Sequence, residues 1–340
     1  MTPRLYCGSP SWPLAVLEPR ENPNLFGHAA AERDLLAAML GGRMHHAWLI
    51  TGPAGVGKAT LAYRFARRLL AGPGATMALD PADPVFRRVA IGSHADLLTI
   101  EREFDEKKQR MRGEIVVDDA RALSAFLRLT PAEGGWRVVV LDGAEHMNRN
   151  AANAVLKMLE EPPARAILLL TCAAPGRLLP TIRSRCRRLE LQPLDQGAMM
   201  DALTAYLPDM AVDDRTRLAG IAAGSPGRAL ILAQDRGLAL AAIAREVLDN
   251  APGPRRALEI AEKLGGRAED SFTPFMTLLR SALADGISAA ARGGPAMGQR
   301  PLGAWVDLWQ SLGTIQDETE RLNLDRRQAL LSSITKLHGP

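Results

Sequence analysis

The stretch TGPAGVGKAT at residues 51–60 has the glycine and lysine spacing of a loop that holds phosphate. In such a loop, successive backbone N–H groups surround a phosphate, glycines permit its close approach, and the lysine reaches the outer phosphate groups. Gly52, Gly55, Gly57 and Lys58 supply this pattern. They predict a site for ATP or ADP, and the alternative is a glycine-rich turn that binds nothing.

The residue after the lysine departs from the pattern. A serine or threonine normally follows, and its hydroxyl holds Mg²⁺ while the terminal phosphoryl group leaves. This chain has Ala59 instead. Thr60 comes next, but one residue along a helix turns a side chain by about 100°, so Thr60 does not replace the missing hydroxyl. We expect Thr60 to contact an α-phosphate oxygen at most, and we predict no metal site.

A buried strand that ends in an acidic residue is the second phosphate-handling element. In VVVLDGAEHM the apolar run ends at Asp142, but Gly143 stands where a water-activating glutamate normally follows, and Glu145 lies two positions further. Asp142 also fits a helix N-cap. The departures at positions 59 and 143 remove two groups that ATP hydrolysis uses, so the sequence favours a site that does not hydrolyse ATP.

A cluster of arginines lies in IRSRCRRLE at residues 182–190, namely Arg183, Arg185, Arg187 and Arg188. The simplest interpretation is a solvated basic turn. An arginine on an exposed turn can instead reach a phosphate bound by a neighbouring subunit and stabilise the charge on its oxygens during transfer. The residues alone leave both interpretations open.

These groups need a scaffold, and the pattern of the chain predicts one. Strands and helices alternate over residues 25–192, and apolar runs such as AWLIT and AILLLTC are typical of buried parallel strands. We therefore predict an α/β fold with a doubly wound parallel sheet. After Pro193 only helical patterns remain, which predict a small helical lid over residues 193–245 and an all-helical domain over residues 246–340. Residues 1–24 form a predicted N-terminal arm.

Composition narrows the class of protein. The 340 residues include 42 basic and 38 acidic side chains, so the net charge of +4 argues only weakly for contact with a polyanion. No apolar run is long enough for a membrane span or a signal peptide, and we expect a cytoplasmic protein. Cys7, Cys172 and Cys186 are too few for a disulfide framework or a four-thiolate zinc site.

Three stretches together resemble the clamp-loader branch of the AAA+ proteins: HHAWLITGPAGVGKATLA, LDGAEHMNRNAANAVLKMLEEPP and LLTCAAPGRLLPTIRSRC. The resemblance covers about residues 25–235, and more weakly the helical tail. It implies a subunit of DNA polymerase III in a five-membered ring with gamma/tau and delta subunits, and the tail would be the collar that joins them. The ring would load the sliding clamp on primer–template DNA during replication.

The resemblance also implies roles for single residues. Arg185, between Ser184 and Cys186, would be the arginine finger that acts in trans on a neighbour's ATP. Thr171 would hold the sensor-1 position. At the sensor-2 position the arginine of active motor subunits is replaced by Gly227, with Arg228 one step off register. Many relatives carry a four-cysteine zinc module between the nucleotide motifs, and this chain has no cysteine there.

The leading hypothesis is therefore a clamp-loader subunit that does not hydrolyse ATP and completes a partner's site. The alternative is an active AAA+ ATPase of DNA metabolism that uses Thr60 or a carboxylate for Mg²⁺ and Glu145 for water. A stand-alone DNA-binding protein is a weaker third hypothesis, because aromatic residues make up only 4% of the chain and offer little for base stacking.

Overall fold

The computed structural model describes residues 18–42, 44–102, 104–105, 110–111, 113–233, 237–266, 271–295, 300–322 and 324–338. Most of the predicted arm, including Cys7, lies outside these residues. The chain divides into two compact units, Met1–Leu230 and Ile231–Pro340. This division differs from the predicted boundaries at residues 193 and 246, which remain predictions.

The first unit is built on a parallel sheet. The strands of the described residues are β1 (Ala47–Thr51), β2 (Leu97–Ile100), β3 (Phe104–Asp105), β4 (Arg110–Met111), β5 (Arg137–Leu141), β6 (Ala166–Cys172) and β7 (Arg187–Glu190). Five of them pair in the order β2-β5-β6-β1-β7, all in parallel, and β3 and β4 form a separate antiparallel pair. Every residue of β1, β5 and β6 is buried, as expected for a sheet covered on both faces. The predicted α/β fold class is confirmed.

The helices of the first unit connect these strands, precede β1 or follow β7. They are α1 (Ala29–Leu40), α2 (Lys58–Leu70), α3 (Pro84–Ala90), α4 (Val117–Arg128), α5 (Arg149–Glu160), α6 (Pro180–Arg185), α7 (Gln196–Tyr206), α8 (Val212–Ile221) and α9 (Pro226–Leu232). Neither α3 nor the β3–β4 pair was predicted. The helix α3 follows a Pro- and Gly-rich stretch, where Pro84 fits the first helical position and Asp83 accepts from Val85 N at 2.7 Å.

The segment before α1 is tied to α2 by buried arginines. Arg67 donates to the carbonyl oxygens of Arg20 at 2.9 Å and Asn22 at 2.8 Å, and Arg64 donates to the carbonyl oxygen of Pro23. Because a guanidinium has several donors in a fixed fork, it can satisfy carbonyls that no secondary structure would pair. The arginines therefore hold residues 20–23 against α2, which begins at the phosphate-binding loop.

All the regular secondary structure in the described residues of the second unit is helical. Its helices are α10 (Gly237–Asp249), α11 (Pro254–Leu264), α12 (Phe272–Ala291), α13 (Leu302–Leu322) and α14 (Arg326–His338). The helix α12 packs against α10 and α13, and α11 packs against α14. Phe272, Phe275 and Leu279 are fully buried in this core. The helical tail is thus confirmed, and among the described residues no helix has the length and apolar character that a membrane span requires.

Candidate functional site

The phosphate-binding loop leaves β1 and enters α2, as predicted. Its three motif glycines have positive φ angles, +147° at Gly52, +74° at Gly55 and +110° at Gly57, which favour glycine over other residues. At Gly52 an added Cβ would also lie 2.5 Å from the carbonyl oxygen of Leu191. The loop therefore needs these glycines for its backbone conformation, whether or not it binds a ligand.

The loop has backbone N–H groups that are available to a ligand. In the part of the chain that the structure describes, the N–H groups of Gly55, Val56 and Gly57 donate to no protein oxygen. Lys58 is 9% exposed, and its Nζ donates to the carbonyl oxygens of Gly52 at 3.0 Å and Pro53 at 2.7 Å. Adjacent N–H donors at the start of a helix, with an ammonium above them, form an arrangement that can hold a phosphate group.

Burial affects the charge of this lysine. Removal of water from the ammonium lowers the pKa of Lys58, and the negative charges of Glu145 and Asp142 partly oppose that shift. The two carboxylates thus lie close enough to interact with the lysine, as the phosphate-handling pattern requires. Thr60 is buried in the first turn of α2, and Ala59 presents no hydroxyl beside it.

Asp142 and Thr171 meet at the carboxyl ends of the neighbouring strands β5 and β6. The Thr171 hydroxyl donates to the Asp142 carboxylate and accepts from Gly143 N at 3.0 Å. The alternative of Asp142 as a helix N-cap is wrong, because Gly143 caps the short 3₁₀ turn at Ala144–His146 and no side chain takes part. The structure therefore brings together the predicted acidic strand end and the predicted sensor-1 residue.

Glu145 points its carboxylate toward the end of β6. Its Oε1 accepts from the backbone N–H of Ala173 at 2.9 Å. Burial raises the pKa of the neighbouring Cys172 to about 12, and the Glu145 charge adds to the shift. A glutamate that orients an attacking water needs a free oxygen directed at the outer phosphate. Oε1 of Glu145 is committed to the backbone, while its buried Oε2 has no hydrogen-bond partner among the described residues.

The helix α9 packs directly on the loop. Gly227 N donates to the carbonyl oxygen of Gly55 at 3.0 Å. Ser225 Oγ donates to the carbonyl oxygen of Ala54 at 2.9 Å and accepts from Arg228 N at 3.2 Å. The backbone of the predicted sensor-2 region, including Arg228, therefore contacts the loop. This role of Ser225 was not predicted, although a serine before Pro226 has the signature of a helix N-cap.

Residues before α1 contact the loop from another direction. His28 Nε2 donates to the carbonyl oxygen of Val56 at 2.9 Å, and burial lowers the pKa of this histidine. Leu25 Cδ1 lies 3.2 Å from where a Cβ on Gly57 would stand. These contacts were not predicted, because they join segments whose proximity depends on the folded sheet.

Arg185 lies at the amino-terminal ends of the parallel strands, whereas the loop lies at their carboxyl-terminal ends. In the parallel pairing of β1 with β7, Arg187 is beside Trp48 and Glu190 is beside Thr51. The loop follows Thr51 at the carboxyl end of β1, whereas Arg185 precedes the first residue of β7. The length of β7, about 10 Å, thus separates the two sites along the strand direction.

The Arg185 side chain is at the surface and 38% exposed. Its Nη2 lies 3.0 Å from Glu160 Oε1, and its Nη1 donates to the carbonyl oxygen of Thr181 at 3.2 Å. The other arginines of the cluster differ. Arg187 stacks over the Trp48 ring at 4.7 Å, and Arg188 pairs with Glu190 at 2.9 Å.

The two described cysteines are buried thiols, and the described residues do not gather a cluster of metal ligands. Cys172 and Cys186 are buried, and burial raises the pKa of the Cys186 thiol to about 12, so neither is a reactive thiolate at neutral pH. Across the described ranges, no group of three or more His, Cys, Asp or Glu side chains is arranged as a metal site.

Comparison with known proteins finds one family model, described as DNA polymerase III, delta subunit, which matches residues 27–195. DNA polymerase III subunit delta' of Pseudomonas aeruginosa is 40% identical over 196 residues, which are 57% of this chain and 58% of that protein. The Escherichia coli subunit delta' is 34% identical over 59% of this chain and 58% of its own length. The match thus spans little more than half the length of these relatives.

Two further proteins extend the comparison. DNA polymerase III subunit tau of Escherichia coli is 31% identical over 64% of this chain and 34% of its own length. A solved structure of a DNA polymerase III gamma subunit-related protein from Thermotoga maritima covers 90% of this chain and 98% of its own, with 17% identity and a TM-score of 0.46.

Proposed function

We propose that this chain, which matches the DNA polymerase III, delta subunit, family model over residues 27–195, is a clamp-loader subunit of delta-prime type. It does not hydrolyse ATP itself. Instead it donates Arg185 to an ATP site that a neighbouring subunit holds. In this role it helps a ring of subunits to load a sliding clamp on primed DNA.

The position of Arg185 carries the proposal. Arg185 and Lys58 lie at opposite edges of one sheet, so the arginine cannot serve the phosphate-binding loop of its own chain. It is nevertheless exposed at the end of a short helix, where a second protein can reach it. An arginine supplied in trans stabilises the charge that develops on the phosphoryl oxygens during transfer.

The chain's own loop supports binding without hydrolysis. The donors of Gly55, Val56, Gly57 and Lys58 remain suited to the phosphates of ATP or ADP. Ala59 offers no oxygen to Mg²⁺, and Gly143 offers no carboxylate to water. The Asp142 carboxylate is already hydrogen-bonded to Thr171. We therefore propose a nucleotide that stays intact once bound.

The partners follow from the family and from the second unit. We propose that the helical unit is the collar through which the chain joins gamma/tau and delta subunits in a pentameric ring. Contacts with the sliding clamp and with primer–template DNA would then be made by the ring as a whole. The chain's net charge of +4 is small enough that DNA binding by the isolated protein is not expected.

ATP turnover by the isolated chain tests the absence of hydrolysis. We expect no measurable turnover, together with nucleotide binding that Mg²⁺ does not strengthen. A rate on the order of 1 s⁻¹ that Lys58→Ala abolishes would contradict the proposal and favour an active AAA+ ATPase.

A further inference from the structure

We propose that Glu160 is a positioning residue for Arg185, an inference that rests on the role in trans proposed above. Glu160 ends α5 and Arg185 ends α6, so the pair joins the last residues of two helices. Glu160 Oε1 lies 3.0 Å from Arg185 Nη2. Neither residue contacts the chain's own phosphate-binding loop, and the pair has no part in that site.

The carboxylate does not act alone on the guanidinium. Thr181, one turn earlier on α6, accepts from Arg185 Nη1 at 3.2 Å through its carbonyl oxygen. Each terminal nitrogen of the guanidinium is therefore held by a different element. Because the guanidinium is planar, two such contacts fix the direction in which it faces.

The pair leaves the arginine able to bind phosphate. A guanidinium has five N–H donors. One is hydrogen-bonded to Thr181, and a second terminal nitrogen faces Glu160 in an ion pair. Three donors remain for the oxygens of a neighbour's nucleotide. Arg185 can thus contact a phosphoryl group while it still pairs with Glu160. Glu160 therefore acts as a positioning residue and not as a partner that Arg185 must leave before it reaches the phosphate.

The backbone at Glu160 is held in place by contacts of the preceding residue. The carbonyl oxygen of Leu159 accepts a hydrogen bond from His46 Nε2 at 3.1 Å, which ties the end of α5 to the residue before β1. Leu159 is buried in the core of the sheet. The backbone from which the carboxylate extends is therefore held against the same strand, β1, whose partner β7 follows Arg185.

The pair is too exposed to matter much for folding. The Glu160 side chain is 51% exposed and that of Arg185 is 38% exposed, and ion pairs in water at such exposure contribute little to stability. The effect of losing Glu160 should therefore appear in catalysis by the complex rather than in folding. A misplacement of a catalytic group by about 1 Å is enough to lower the rate of a reaction.

The test measures ATP turnover by the complex assembled with its partner subunits. We expect Glu160→Gln to lower kcat roughly tenfold with little change in KM, because the arginine acts in the transition state. The matched control is Glu161→Gln, which removes the same charge one residue away. Glu161 has no ion pair within the described part of the chain, so this variant should keep the wild-type rate.

A double variant separates positioning from a structural role. If Glu160 acts through Arg185, Glu160→Gln in an Arg185→Ala background should cause no further loss. A further loss in that background, or an unchanged or faster rate for Glu160→Gln alone, would overturn the inference while Arg185→Ala still lowers turnover. Unchanged turnover in Arg185→Ala would instead contradict the proposed function, and the inference would fail with it.

Discussion

The backbone N–H of Gly227 donates a 3.0 Å hydrogen bond to the carbonyl oxygen of Gly55 in the phosphate-binding loop. A Cβ on Gly227 would stand 2.8 Å from Gly55 Cα, so the two backbones touch where a side chain would not fit. The family resemblance predicts that position 227 is where motor subunits carry their sensor arginine. A residue with a side chain at position 227 would not fit this close contact of α9 with the loop.

Gly227→Ala should destabilise the first unit. The added methyl must push α9 away from the loop, and overpacking of this kind costs about 1–3 kcal/mol. Chemical denaturation followed by circular dichroism would measure the free energy of unfolding. The control is Gly220→Ala in α8, where a Cβ meets no atom within 4 Å and the helix should gain up to about 1 kcal/mol. Equal stability of Gly227→Ala and wild type would contradict the contact.

Stability should fall as the pH is lowered below the ordinary pKa of histidine. His94 is buried, and desolvation lowers its pKa, with Arg88 acting in the same direction and Glu133 and Asp96 opposing. Asp96 N donates to His94 Nδ1 at 3.1 Å, so that nitrogen must stay unprotonated. A lowered folded pKa means that the unfolded chain takes up the proton first, and stability is fully present only above about pH 6.5.

Urea denaturation at about pH 7.5 and pH 5.5 would measure this effect. We expect a lower free energy of unfolding at the acidic pH and a smaller difference in His94→Gln, which keeps a hydrogen-bond acceptor without titrating. Some pH dependence should remain, because burial also lowers the pKa of His28, His46 and His146. An unchanged pH dependence in His94→Gln would show that this histidine is not responsible.

Removal of the second unit should prevent assembly. A chain that ends after residue 233 keeps α9 and the whole parallel sheet, whereas a cut near residue 250 would leave α10 without α12, against which it packs. We expect the shorter chain to fail to co-purify with gamma/tau and delta subunits, while its circular dichroism still shows helix and sheet. Retention of the complex would contradict the proposed collar.

The sequence predicted the features that depend on local pattern. The loop and α2 were predicted at their observed residues, because the glycine and lysine spacing and the helical apolar pattern are contained within a short stretch. The parallel sheet was predicted from the alternation of strands and helices and from wholly apolar runs such as AILLLTC. The short helix α3 was missed because prolines near it suggested only a break, although Asp83 and Pro84 carry the signature of a helix start.

Contacts between distant segments were beyond the reach of such patterns. The pairing of Thr171 with Asp142 depends on β5 and β6 being neighbours. The contact of Glu160 with Arg185 requires α5 and α6 to end at the same edge of the sheet. The residues alone identified the arginine cluster that contains Arg185, but the choice of Arg185 and the role of Thr171 came only from a family resemblance. No local pattern predicted Glu160.

The most direct test of the central claim is ATP turnover by the assembled complex with Arg185→Ala, measured beside Arg183→Ala. Arg183 is an exposed arginine on the same short helix and serves as the matched control. We predict that Arg185→Ala lowers turnover at its interface by roughly 10- to 1000-fold without loss of the ring, and that Arg183→Ala stays near the wild-type rate. An intact ring with unchanged turnover in Arg185→Ala would contradict the account.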